Sequence, residues 1–195
     1  MDKIIPRWEW RAFGESFGEA EKQFAALPAG DIEESDELYL LSSVLDDNVK
    51  VRYGLMDIKK LEQVNADGLE QWKPVMKDSF PLPATEAKKV FEVLGVPAPP
   101  MSRTDYTLDQ FVDELVPAAK NLMAVRVHKK RTRYKLDGCM AELADINADG
   151  KETRTVALEL EDPARVIATV RKLGLGSLKN TSYPRGLKQL VGMKA

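Results

Sequence analysis

The sequence predicts an α+β chain built on a small antiparallel β-barrel with a charged interior and helices packed outside. Three observations predict it. Short segments alternating every two residues are separated by turn residues such as Asn65-Ala66-Asp67-Gly68 and Asn147-Ala148-Asp149-Gly150. Helical spacing recurs between groups of strands. Several strands carry Lys, Arg or Glu on one face and apolar residues on the other.

The elements follow in order. A first strand is expected from Ile4 to Phe13, and Phe17, Ala20, Phe24 and Leu27 then mark a helix over about 14–27, stopped by Pro28-Ala29-Gly30. Glu37 to Ser43 and Val49 to Tyr53 read as strands around the turn Asp46-Asp47-Asn48, and Gly54 separates the second from a strand over Leu55 to Val64. A strand from about Leu69 to Met76 and a helix over Thr85 to Leu94 close the first half. Pro97-Ala98-Pro99-Pro100 reads as a rigid linker. Thr107 to Asn121 is expected to be one amphipathic helix, capped by Thr107 with Asp109 in its first turn. The second half is a three-stranded meander, Met123 to Leu136, Cys139 to Ile146 and Glu152 to Glu161, the first two joined at Asp137-Gly138. Asp162 as N-cap and Pro163 in the first turn start a helix that Gly174 ends. The tail, Asn180 to Met193, is expected to close the mouth of the barrel.

Composition bounds the function. A chain of 195 residues, 44% hydrophobic and 31% charged, suits one globular domain over 1–195. No apolar run reaches the roughly 18 residues of a spanning helix, and Met1-Asp2-Lys3-Ile4-Ile5-Pro6 has no apolar signal core, so a cytoplasmic protein without membrane contact is expected. Cys139 and His128 are the only residues of their kinds, which excludes an internal disulfide and a cysteine cage for a metal. A bound metal would rest on carboxylates, which favours Mg²⁺ or Mn²⁺. A net charge of -2 gives no overall pull toward nucleic acid.

Sorting the strands by face shows where charge concentrates. Lys129, Arg131, Arg133 and Lys135 share a face that Val125 and Val127 begin, and Lys50 shares one with Arg52. Arg7, Glu9 and Arg11 oppose Trp8 and Trp10, while Thr155, Ala157, Glu159 and Glu161 oppose Val156, Leu158 and Leu160. If helices cover the apolar faces, the charged faces point inward, and a dry interior of that kind is unstable. It becomes stable as a wet tunnel for a polyanion, whose phosphates the Arg forks match. The alternative is a twisted open sheet with one solvated face.

Arg7-Trp8-Glu9-Trp10-Arg11, Lys50-Val51-Arg52, Lys129-Lys130-Arg131, Glu142 and Glu159-Leu160-Glu161 resemble the CYTH domains, or triphosphate tunnel metalloenzymes. That family carries E-x-E-x-K on its first strand and includes class IV adenylate cyclases, thiamine triphosphatases and inorganic triphosphatases. The resemblance implies an eight-stranded tunnel that binds a triphosphate-like group. By position, Glu9, Glu142, Glu159 and Glu161 would serve Mg²⁺ or Mn²⁺, with Glu9, Glu159 and Glu161 as the catalytic set. Arg11, Lys50, Arg52, Lys129 and Arg131 would serve phosphates, with Lys59, Lys73, Arg133, Arg7 and, from the tail, Arg185 as further candidates. Arg7 stands where the motif has its first Glu, and Arg11 where it has Lys.

The implied activity is a metal-dependent phosphohydrolase on inorganic triphosphate, polyphosphate or a nucleoside triphosphate. The alternatives are a non-catalytic polyphosphate- or nucleotide-binding module and an adenylate-cyclase-like activity, although no residue set specifies a base. The expected partner is a phosphate-rich small molecule or polyphosphate, and a homodimer is left open. Other signals are set aside. Asp145 to Gly150 starts like a calcium loop but has Val156 where the bidentate Glu belongs, so it reads as a turn. The run from His128 to Arg133 splits between two strand faces, Cys139 reads as buried, and Gly174-Leu175-Gly176 reads as a helix C-cap.

Overall fold

The computed structural model describes residues 6–28 and 30–194. Its first half holds β1 (Trp8–Gly14), α1 (Glu19–Ala25), β2 (Ile32–Ser42), β3 (Asn48–Arg52), β4 (Leu55–Val64) and β5 (Glu70–Ser79). A two-residue strand β6 (Leu82–Pro83), α2 (Ala84–Val93), its partner strand β7 (Asp105–Tyr106) and α3 (Leu108–Gln110) follow. The second half holds β8 (Leu122–Leu136), β9 (Cys139–Ala148), β10 (Lys151–Leu160), α4 (Pro163–Lys172) and α5 (Tyr183–Val191). Eight strands close into a barrel in the order β1-β10-β9-β8-β2-β3-β4-β5, every neighbouring pair antiparallel.

The apolar faces decide which side of the sheet is out. Val49, Val51, Met56 and Ile58 of β3 and β4 pack under α2 and α3, with Phe91, Leu94 and Phe111. Trp10, Ala12, Val156 and Leu158 of β1 and β10 pack under α1 and α4, with Phe24, Val166 and Val170. Burying each such side chain stabilises the fold by about 1.5–3 kcal/mol, which fixes strand register because a one-residue slip would expose the whole set. The charged faces therefore have only the barrel interior.

One end of that interior is apolar. Tyr39 and Leu41 of β2, Val125 and Val127 of β8, and Ala144, Ile146 and Ala148 of β9 meet Tyr183 and Leu187 of α5 there. The tail thus closes an end of the barrel, and Gly186 lets α5 come in close: a Cβ on it would lie 2.3 Å from the Phe13 ring. Where β5 parts from β1, the tail also takes its place beside the strand. Asn180 Oδ1 accepts from Arg11 N–H at 2.8 Å, and Thr181 N–H donates to the Arg11 carbonyl at 2.7 Å.

Several elements differ from the sequence expectation. Ile4 and Ile5 lie outside the described residues, and β1 begins at Trp8. β1 runs on through Gly14, held opposite Arg154, so α1 starts only after Gly18, whose positive φ of 54° turns the chain. β2 begins at Ile32, five residues before the expected Glu37, because the polar run Glu33-Glu34-Ser35-Asp36 pairs with the basic half of β8. The expected helix 107–121 is a Thr107 capping box on α3, then one π turn over Phe111–Leu115 and further turns. Pro117 lacks the N–H that a continuing α-helix needs. α4 starts as expected, with Asp162 accepting from Ala164 and Arg165 N–H groups, a cap worth about 1 kcal/mol.

Candidate functional site

Beyond the apolar end, the interior is a cavity of about 250 Å³ lined by seven cationic side chains and four carboxylates. The cations are Arg11 from β1, Lys50 and Arg52 from β3, Lys59 from β4, and Lys129, Arg131 and Arg133 from β8. The carboxylates are Glu9, Asp57, Glu142 and Glu159. The sequence assigned all of these except Asp57 to the site. Tyr183 and Tyr39 line the apolar end, where the Arg11 guanidinium lies 4.3 Å and the Lys129 amine 4.7 Å from the Tyr183 ring centre. Cation–π contacts of this kind hold charge in place without neutralising it.

The cations are not left bare. Glu37 of β2, fully covered, receives Lys50 at 3.0 Å, Lys129 at 3.5 Å and Arg52 at 3.6 Å. Burial alone would raise its pKa, but Lys129 and Lys50 outweigh burial and hold it down to about 2. Glu142 of β9 sits between Arg11 at 3.2 Å and Arg131 at 3.3 Å. Against its own burial, Arg11, Lys129 and Arg131 bring it down to about 2. Glu33 pairs with Arg131 and Arg133. Burial lowers Lys50 to about 8, opposed by Glu37, and lowers Lys129 as well, opposed by Glu142 and Glu37. The Arg131 Nε is buried without a protein acceptor, an open donor on a cavity arginine.

Besides Asp57, sequence reasoning missed Glu33 and Glu37. The available signal was the alternation Glu33, Ser35, Glu37, Tyr39, Leu41, one face of a strand opposite Lys129 and Arg131.

The mouth of the cavity gathers a second set. Glu9 and Glu159 are cross-strand partners there. Burial first, then Glu9, raise the pKa of Glu159, while Arg7 and Lys59 pull it back. Arg7, Lys73 and Glu161 line an outer cleft with Glu9, Lys59 and Glu159.

Four assigned residues therefore lie apart from the enclosed cavity. Glu161 follows the last residue of β10 and is exposed, so it leaves the alternation that would have turned it inward. Lys73 falls beyond a register shift between β4 and β5 that takes it to the rim. Arg7 precedes β1 and stands over the mouth. Arg185 turns away from the cavity to bond the buried carboxylate of Glu70, lining a separate surface pocket with Trp10 and Asn180.

Among the described residues, no three His, Cys, Asp or Glu side chains are grouped to hold a metal ion. Glu142 is spanned by two arginines, which leaves Glu159 and Glu9, the latter itself accepting from Arg11 Nε at 3.1 Å. Two adjacent carboxylates are hard oxygen donors of the kind Mg²⁺ accepts, and would supply only part of its coordination.

The other set-aside signals lie as the sequence suggested. His128 bridges Asp36 and Glu34 on the outside, Cys139 is buried against Thr169, and Asn147 accepts from Gly150 N–H in a plain turn. No helix among the described residues is long and apolar enough to cross a membrane.

No family model and no curated protein matches the sequence. Solved structures match its shape. HpAC1 from Hippeastrum, studied as an adenylyl cyclase and described as having a dominant triphosphatase activity, gives a TM-score of 0.53 at 12% identity, over 97% of each chain. A conserved hypothetical protein from Pyrococcus furiosus gives 0.48 at 13% identity, over 90% of this chain and 98% of that one. An adenylate-cyclase-type protein from Bacillus halodurans gives 0.47 at 13%, over 92% and 96%. The closed eight-stranded antiparallel barrel with helices packed against it is the fold expected from the resemblance to the CYTH domains, and the chain shares it with HpAC1.

Proposed function

We propose that the chain binds the phosphate chain of a triphosphate-type molecule inside the barrel and hydrolyses a phosphoanhydride bond with Mg²⁺ or Mn²⁺. The observation that carries this reading is the convergence of seven cationic side chains from four strands on one walled cavity, which still exceed the carboxylates by one when Glu33 and Glu37 are counted with the four that line it. Such a surplus is unfavourable when dry and is offset by a polyanion. The triphosphatase activity described for HpAC1, which shares the fold, points the same way. At about 250 Å³ the cavity is smaller than the roughly 300–1,000 Å³ of typical sites for drug-sized ligands, which favours a compact inorganic chain or only the phosphates of a nucleotide.

Phosphoryl transfer asks mainly for positioning and electrostatic stabilisation. Arg11 and Arg131 offer planar donor forks to phosphate oxygens, and Lys50 and Lys129 add point charge. Glu9, which accepts from Arg11 Nε through one oxygen, would orient an attacking water with the other and take its proton. A Mg²⁺ held by Glu9 and Glu159 together with phosphate oxygens would neutralise charge on the leaving group.

The test is phosphate release from tripolyphosphate with Mg²⁺ or Mn²⁺. Glu159→Gln should lower turnover at least about a hundredfold, the scale of losing one electrostatic partner of the transition state. Unchanged turnover would remove the mechanism. A second reading, a binder without turnover, is favoured by Arg7 resting on Glu159 and by Glu142 held between arginines. Stabilisation by tripolyphosphate in a thermal-shift assay with no phosphate released would select it.

A further inference from the structure

The carboxylate pair at the mouth already has a cation. Glu9 and Glu159 face each other across β1 and β10, and like charges placed directly opposite destabilise a sheet. Arg7 stands two residues before Glu9. Its Nη1 lies 3.3 Å from Glu159 Oε1 and 2.9 Å from Sδ of Met140, the residue opposite Glu159 on β9. The guanidinium is thus seated on the strand pair beside Lys59, in the cleft through which the cavity is reached. Its planar fork matches phosphate oxygens bidentately.

We propose that Arg7 is a built-in counter-cation for Glu159, so that a phosphate chain is gripped at the mouth without a divalent ion, and that Arg7 and a divalent ion compete electrostatically for Glu159. This rests on the cavity being a polyphosphate site, and it adds a competition between one residue and the metal. Arg7 holds Glu159 Oε1 and sets a positive charge beside any ion on the same carboxylate, so each weakens the other. The pair is partly exposed, with side-chain accessibilities of 47% for Arg7 and 36% for Glu159, and an ion pair of that kind is weak enough to be exchanged.

The experiment is titration calorimetry on the full chain with two probes, tripolyphosphate in EDTA and Mn²⁺ alone, for wild type, Arg7→Gln and Arg7→Lys. Wild type binds tripolyphosphate in EDTA. Arg7→Gln weakens that binding by about tenfold or more, as loss of a hydrogen bond to a charged group does, and tightens Mn²⁺ by a comparable factor. Arg7→Lys keeps the charge and lies between. Tripolyphosphate binding that needs Mg²⁺ in the wild type, or Mn²⁺ affinity unchanged in Arg7→Gln, overturns the competition and leaves the cavity reading standing. No tripolyphosphate binding with or without Mg²⁺ overturns both.

Discussion

Replacing Glu37 by Gln isolates the electrostatic load carried by the cavity wall. Gln has the shape of a protonated Glu, so the variant differs from wild type mainly by one negative charge beneath Lys50, Lys129 and Arg52. The pKa of Glu37 falls from 4.5 to about 2 on folding, and 1.36 kcal/mol per unit gives about 3 kcal/mol of stability from the ionised form at neutral pH. A depressed carboxylate pKa contributes fully above the unfolded value, and its contribution fades as pH falls through the folded one. The gap between wild type and Glu37→Gln should therefore be about 3 kcal/mol at pH 7 and roughly 1 kcal/mol at pH 3. Urea denaturation at both pH values measures it, with equal m-values showing that the same surface unfolds. A gap near zero at pH 7, or one that persists unchanged at pH 3, would refute the view that Glu37 anchors the cations.

Two further outcomes are expected. With Lys50 lowered to about 8 by burial, the empty cavity loses a positive charge as pH rises through that value, so tripolyphosphate affinity should decline above pH 8. Calorimetry should show a flatter profile in Lys50→Met, and an equal decline in both would assign the effect elsewhere. Gly186→Ala places a Cβ 2.3 Å from the Phe13 ring, an overpacking that costs about 1–3 kcal/mol. Thermal melts should show a lowered midpoint, and an unchanged one would mean that α5 does not press on the barrel.

Most of the architecture is written in two-residue alternation. Trp8 and Trp10 against Glu9 and Arg11, and Val156 and Leu158 against Ala157 and Glu159, assign inside and outside before any coordinates, because only one face of each strand can be buried under helices. Alternation fails where both faces are polar. Glu33-Glu34-Ser35-Asp36 looks like a loop until β8 supplies Arg131 and Lys129 on one side and His128 and Lys130 on the other. Glu33 went unassigned for that reason, and Glu37, the first residue of the expected strand, had no charged neighbour on its face to mark it, so the internal pairing of the cations stayed hidden. Strand ends are equally hard to read. Glu161 continues the alternation of β10 in sequence, but the strand stops at Leu160, and pattern alone does not say where pairing ends. Arg185 illustrates the limit for helices. α5 has an apolar side, but which strand each polar residue meets depends on how the helix lies across the barrel end, and Glu70 proves to be the partner.

Because α5 stoppers one end of the barrel with Tyr183 and Leu187, a ligand of the proposed kind would come and go, among the described residues, at the end where Glu9 and Glu159 lie. A long polymer can present a terminus but cannot be threaded from one side to the other. Products of the proposed hydrolysis would back out along the route by which the next molecule arrives, so residues at the rim would act on departure as well as on arrival.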